Sequence, residues 1–180
     1  ELRVLWPAPA AKAPLTALPG RLASLEGDAS RQEASLRQLQ EYFEDQRALL
    51  ASTPTIWPVQ GWTTSEFGVR TDPWAGDRSM HEGLDIASPH GQTVSAPSDG
   101  TVVFVGSEGG YGKVLVIDHG YGVKTRYGHL SEIFVHLGDR LERGVKVAAV
   151  GNTGRSTGPH LHYEVRVNGI PQNPRKFILE

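Results

Sequence analysis

Gly158-Pro159-His160-Leu161-His162-Tyr163-Glu164-Val165-Arg166-Val167 alternates without a break: Leu161, Tyr163, Val165 and Val167 fall on one side, His160, His162, Glu164 and Arg166 on the other. A period of two is the signature of a strand with one apolar face. The apolar side is expected to face a core, and the polar side to present two imidazoles together to a cleft. Working outward, residues 101–105, 113–118, 123–130 and 145–150 read as further short strands. Between them stand the turn signals Asp99-Gly100, Gly109-Gly110, residues 120–122, Gly138-Asp139 and Asn168-Gly169. Short strands at close spacing with no helices between them predict a mostly β, antiparallel domain.

The rest of the chain is different in kind. Nineteen of the 21 glycines and all seven histidines lie in residues 61–180, whereas residues 21–50 hold ten charged residues, one glycine and no proline. Leu22, Ala29, Leu36, Phe43 and Leu50 recur every seven residues there, with Leu25 and Leu39 interleaved. Such a seam predicts an amphipathic, coiled-coil-like helix over 21–52. Gln32 and Gln46 interrupt the seam, which leaves open a coiled-coil partner or homodimer through residues 21–50 and, equally, a helix lying on its own domain. Residues 1–20 carry four prolines among alanines and read as a linker or arm. Residues 53–60, with Pro54 and Pro58, read as a second linker, and 61–180 as the β domain, long enough for one core.

Composition removes several classes of function. Lys plus Arg number 18 against 20 Asp plus Glu, a net charge of -2, so no positive field exists to hold a nucleic acid. No run approaches the ~18–20 apolar residues of a membrane helix. With no cysteine, any metal must be held by His and carboxylate. Met80 is the only methionine, so a chain beginning at Glu1 is expected to be a processed or excised form, and an upstream signal peptide or membrane anchor would be invisible here.

The segment Ser79-Met80-His81-Glu82-Gly83-Leu84-Asp85-Ile86 begins like the helical zinc-protease motif, but its fifth position is Asp85 rather than His, and Gly83 sits inside it. Read as one strand, it places His81 and Asp85 on a single face, with Gly83 between them leaving room for an ion. A third segment, Tyr127-Gly128-His129-Leu130, ends a strand. Two imidazoles and one carboxylate fill three tetrahedral positions of zinc and leave the fourth for water, although the spacing alone leaves iron and manganese open. Histidines beyond those on the metal can move a proton or steady an oxyanion, because their pKa lies near working pH. His90 and His136 read as turn residues, His119 as a packed or bonded turn residue, and Glu82 as solvated.

The residues Ser65-Glu66-Phe67-Gly68-Val69-Arg70, then His81 to Asp85, Tyr127 to Leu130, Gly151 to Glu164 and Asn173-Pro174 together resemble the lysostaphin/LytM-type (M23) zinc endopeptidases over nearly all of residues 61–178. The resemblance implies an antiparallel β-sheet metallopeptidase domain with a groove, one Zn2+ held by His81, Asp85 and His162, and catalytic roles for the non-ligand His129 and His160. The implied reaction is hydrolysis of peptide bonds in peptidoglycan stem peptides or cross-links by water activated at the zinc. Which of the two histidines is the base stays open, as does the alternative of a catalytically silent relative that activates another cell-wall hydrolase. Arg70, Trp74 and Tyr111 are candidates for the substrate groove, and the implied location is the cell envelope, periplasmic or exported. Tyr163 stands where many relatives have Phe, and Gly128 where many have Ala.

Overall fold

The computed structural model of the chain describes residues 18–71 and 76–179. Two units divide it, Glu1–Gln46 and Arg47–Glu180. Helix α1, Leu18–Ser52, supplies the described part of the first unit and ends in the second. Leu22, Leu25, Leu36, Leu39, Phe43 and Leu50 of the heptad seam are all exposed. Pro54 lies two residues past the helix, and the residue before a proline is pushed out of helical geometry. The last carbonyls are not left bare: Arg143 Nη2 donates to the oxygens of Leu50, Ala51 and Thr53 at 2.7, 3.3 and 3.3 Å, a cation closing a helix C-terminus. No helix among the described residues is long and apolar enough to cross a membrane.

The β domain contains, in chain order, β1 (Trp62–Ser65), β2 (Gly68–Thr71), β3 (Arg78–His81), β4 (Leu84–Ala87), β5 (Thr93–Ser95), β6 (Gly100–Glu108) and β7 (Gly112–Gly120). It continues with β8 (Val123–Leu130), β9 (Glu132–Ile133), β10 (Arg140–Leu141), β11 (Lys146–Ala149), β12 (His160–Val167) and β13 (Ile170–Gln172). Among the described residues these form three antiparallel sheets. The large one runs β1-β4-β12-β8-β7-β6-β10, with β13 paired to β12; a second runs β5-β11-β9, and β2 pairs with β3 alone. The strands expected from alternation are thus present as β6, β7, β8, β11 and β12, each within three residues of its expected ends. The shorter strands carry too few residues for a period to show.

Register builds both the core and the cleft from one alternation. On β12, Leu161 pairs with Ile86, and Tyr163 pairs with Leu84 and Tyr127. These side chains join Val94, Val147 and Ala148 of the three-stranded sheet in a single buried core. Directly paired residues of antiparallel strands point to the same side, so His162, which pairs with Asp85 on β4 and Gly128 on β8, looks away from that core together with both. Behind the sheet, the buried His119 has Nδ1 2.6 Å from the Asp99 oxygen and 2.8 Å from Ser98 Oγ. Its Nε2 lies 2.7 Å from Thr125 Oγ1, which lies 2.8 Å from the Tyr127 hydroxyl.

One expectation is corrected here. Residues 79–86 are not one strand: β3 ends at His81, β4 begins at Leu84, and the two belong to different sheets. Gly83, between the two strands, is required by the close approach of β12. A Cβ at that position would sit 2.5 Å from the Tyr163 oxygen of β12, so the chain can pass this close only without a side chain.

Candidate metal centre

Three side chains from three strands converge at the mouth of the sheet. His81 arrives from the end of β3, Asp85 from β4 and His162 from β12, all buried. Their ligand-type atoms lie within 4.8 Å of one another. His81 Nε2 is 3.1 Å from Asp85 Oδ1 and 3.2 Å from His162 Nδ1, and His162 Nδ1 is 2.8 Å from Asp85 Oδ1.

The outer nitrogens decide what these atoms can do. His81 Nδ1 is 2.8 Å from the Glu66 carbonyl oxygen, which can only accept, so Nδ1 carries the proton and Nε2 of the neutral ring is a bare lone pair. His162 Nε2 is 3.1 Å from Glu164 Oε1, and the same logic leaves its Nδ1 bare. Two lone pairs and a carboxylate oxygen therefore face one another with no proton between them. This is a repulsive arrangement unless a cation, or a proton on an imidazole, fills it. Burial works to raise the Asp85 carboxyl, yet its contacts with His162 and His81 outweigh that and hold it well below the usual carboxylate range. His162 is pushed up, because Asp85 and Glu164 outweigh the burial that opposes its charge. A proton and a divalent cation would thus compete for this one site. With two imidazole nitrogens and one carboxylate oxygen as donors, the set suits zinc and leaves a coordination position open.

Two further histidines complete the cleft. His129 Nδ1 is 2.7 Å from the Thr153 oxygen, and His160 Nδ1 is 2.8 Å from the Gly158 oxygen. Each carbonyl fixes the Nδ1–H form, so both rings offer a bare Nε2. The rings lie 4.6 Å apart, and His160 Nε2 lies 3.8 Å from Asp85 Oδ1. Burial pushes the His129 pKa down; the Thr153 carbonyl opposes this and the neighbouring His160 adds to it. His129 also has φ 59°, in the left-handed region that a residue with a side chain seldom adopts. Such local strain persists where the surroundings over-determine it.

The open cleft, about 430 Å³, is also lined by Arg70, Met80, Tyr111, Arg155 and Ser156. Arg70 Nη2 lies 3.3 Å from Asp85 Oδ2. Tyr111 donates its hydroxyl to Glu164 Oε1 at 2.8 Å. Trp74 lies outside the described residues. Glu82 is not merely solvated, since it is ion-paired with Arg166. His90 and His136 are exposed, and His136 approaches Asp139 at 3.7 Å. The sequence reading passed over Glu164, although its place in the alternation beside His160 and His162 was a usable signal. It also passed over the carbonyls of Glu66, Thr153 and Gly158, which no side-chain pattern could announce.

Comparison with known proteins agrees with this geometry. The family model described as Peptidase family M23 matches residues 79–174. The DD-carboxypeptidase/endopeptidase Mpg of Neisseria meningitidis serogroup B is 47% identical over 116 residues, covering 64% of this chain and 27% of that protein. The peptidoglycan DD-endopeptidase ShyA of Vibrio cholerae is 47% identical over 146 residues, covering 79% and 34%. The chain thus spans about a quarter to a third of these relatives' length. Among solved structures, a zinc-containing peptidase from Vibrio cholerae matches with a TM-score of 0.64 at 40% identity, covering 68% of this chain and 39% of that one.

Proposed function

We propose, from the premise that this chain belongs to peptidase family M23, that it is an active zinc metalloendopeptidase that hydrolyses peptide bonds in the stem peptides or cross-links of peptidoglycan. The observation that carries the reading is the tautomer arithmetic of the centre. His81 Nε2, His162 Nδ1 and Asp85 Oδ1 converge as three donors without a proton, and two more imidazoles stand beside them with Nε2 bare. A domain kept only for binding has no physical need of the second pair.

His81, Asp85 and His162 would hold the ion. When bound, a divalent zinc supplies a Lewis acid that lowers the pKa of water towards ~7 and polarises a carbonyl. The chain's own groups supply the rest. Burial pushes the His129 pKa down, which favours the neutral ring and fits its Nε2 to accept the proton of the attacking water and return it to the departing amine. His160 shares the cleft 4.6 Å away, and in protonated form its Nε2–H can donate to the oxygen that gains charge in the transition state. Two rings this close resist being charged together, so one serves as base while the other donates. Arg70 and Tyr111 line the groove where a peptide would lie. A relative named as a DD-endopeptidase of peptidoglycan supports the substrate class, and that substrate class supports work in the cell envelope.

Mass spectrometry of peptidoglycan fragments incubated with the zinc-loaded protein tests the proposal, with new amine and carboxyl ends at one bond type as the expected result. His81→Ala, Asp85→Ala and His162→Ala should lose both bound zinc and cleavage. His129→Ala and His160→Ala should keep zinc and lose about 10²–10⁴-fold in turnover. Intact fragments after incubation with zinc-loaded wild type would favour the silent-regulator reading instead.

A further inference from the structure

Glu164 has no exposed surface, yet it belongs neither to the three converging donors nor to the histidine pair. Its carboxylate is met from three directions. His162 Nε2 and the Tyr111 hydroxyl approach Oε1 at 3.1 and 2.8 Å, and Arg166 Nε approaches Oε2 at 2.7 Å. Tyr111 and Arg166 can only donate into this geometry, so Glu164 is a triple acceptor and its third donor is the His162 Nε2–H. A ring protonated at Nε2 has its lone pair at Nδ1, the atom that faces Asp85 and His81.

The supports of Glu164 are themselves held. Arg166 is ion-paired on its other side with Glu82. Tyr111, carried by the tight turn Gly109–Tyr111 between β6 and β7, lies beneath the guanidinium of Arg126 at 4.1 Å and stands edge-on to the His162 ring at 5.3 Å. Gly128 makes room for it, because a Cβ there would lie 3.2 Å from the Tyr111 ring.

We infer that Glu164, braced by Tyr111 and Arg166, is the positioning residue that fixes the Nε2–H tautomer of His162 and so arms its Nδ1 as a metal ligand. The inference rests on the metal centre proposed above. A Glu164→Gln side chain cannot replace the carboxylate. An amide has one oxygen, so its NH2 must face a donor, either Arg166 or the Tyr111–His162 side. In the second case the ring is driven to the Nδ1–H form, which blocks the ligand atom.

The full chain tests this without reference to hydrolysis. Zinc affinity is measured by competition with a chromophoric chelator, and the His162 tautomer of the metal-free protein is read from its ring ¹⁵N shifts. Glu164→Gln should weaken zinc about 10–100-fold and shift His162 towards Nδ1–H. Tyr111→Phe removes one hydrogen bond, keeps the ring, and should weaken zinc by a smaller factor with the fold intact, which covers the case in which Glu164→Gln fails to fold. Wild-type zinc affinity and an unchanged Nε2–H form in Glu164→Gln would overturn the inference, as would unchanged affinity in Tyr111→Phe if only that variant folds. A wild type that binds no zinc would instead sink the metal centre itself, so the two failures are distinguishable.

Discussion

Replacing Tyr163 by Phe should make this protein more stable, which is unusual for a substitution in the middle of a core. The Tyr163 ring has no solvent exposure, and its hydroxyl has no hydrogen-bond partner among the described residues. A buried hydroxyl left unpaired costs about 1–3 kcal/mol relative to its hydrated state in the unfolded chain. Removing it opens a gap smaller than one water, ~30 Å³, and at ~24 cal/mol per Å³ that gap costs less than about 0.7 kcal/mol. The ring keeps its packing against Tyr127, 5.5 Å between centroids. The balance favours Phe by about 1 kcal/mol, or roughly 3–6 °C in Tm for a unit of this size. Urea unfolding of both proteins under matched zinc should show the midpoint moving up with the slope unchanged. A Tyr163→Phe protein that loses 1 kcal/mol or more would refute the reasoning, because the hydroxyl would then have a partner whose loss outweighs its burial.

Two further predictions concern the second unit. His119 is pushed below its ordinary value by burial, with the Asp99 carbonyl opposing. The native state therefore binds fewer protons than the unfolded chain as pH drops past ~6.5, so stability present above that value is lost as pH falls towards the lowered one. His119→Gln should flatten the decline in stability between about pH 7 and 5, and an unchanged slope would count against it. Arg143→Ala should expose the carbonyls of Leu50, Ala51 and Thr53, cost about 1 kcal/mol, and speed amide exchange at the helix end, where Asp99 N also donates to Ala51 O at 3.0 Å. Unaltered exchange at residues 50–55 would show that the guanidinium contacts are dispensable.

Residue spacing was a good guide where one chain segment decides the outcome. The unbroken alternation of residues 160–167 located β12 and put both of its histidines on the cleft side, and the pairing of His162 with Asp85 brings the remote acid alongside. Spacing failed where the answer depends on which strand lies next door. Nothing local to Ser79–Ile86 says that β12 passes within 2.5 Å of where a Cβ of Gly83 would be, so the break between β3 and β4 was missed. Glu164 was visible as a polar residue on the cleft face, but its meaning depends on Tyr111, 53 positions away, and on the long-range ion pair of Arg166 with Glu82. The tautomers of His81, His129 and His160 are set by main-chain oxygens, which every residue carries alike.

That same break gives the centre a mechanical role. His81 sits on the two-stranded ribbon β2–β3, whereas Asp85 and His162 belong to the large sheet. An ion gripped by all three would act as a rivet between separate pieces of the fold. Arg70 and Met80 ride on that ribbon and form one bank of the cleft. If the proposed ion is bound there, stripping it with a chelator should loosen that bank as well as stop the proposed hydrolysis, which increased hydrogen exchange in β2 and β3 would show.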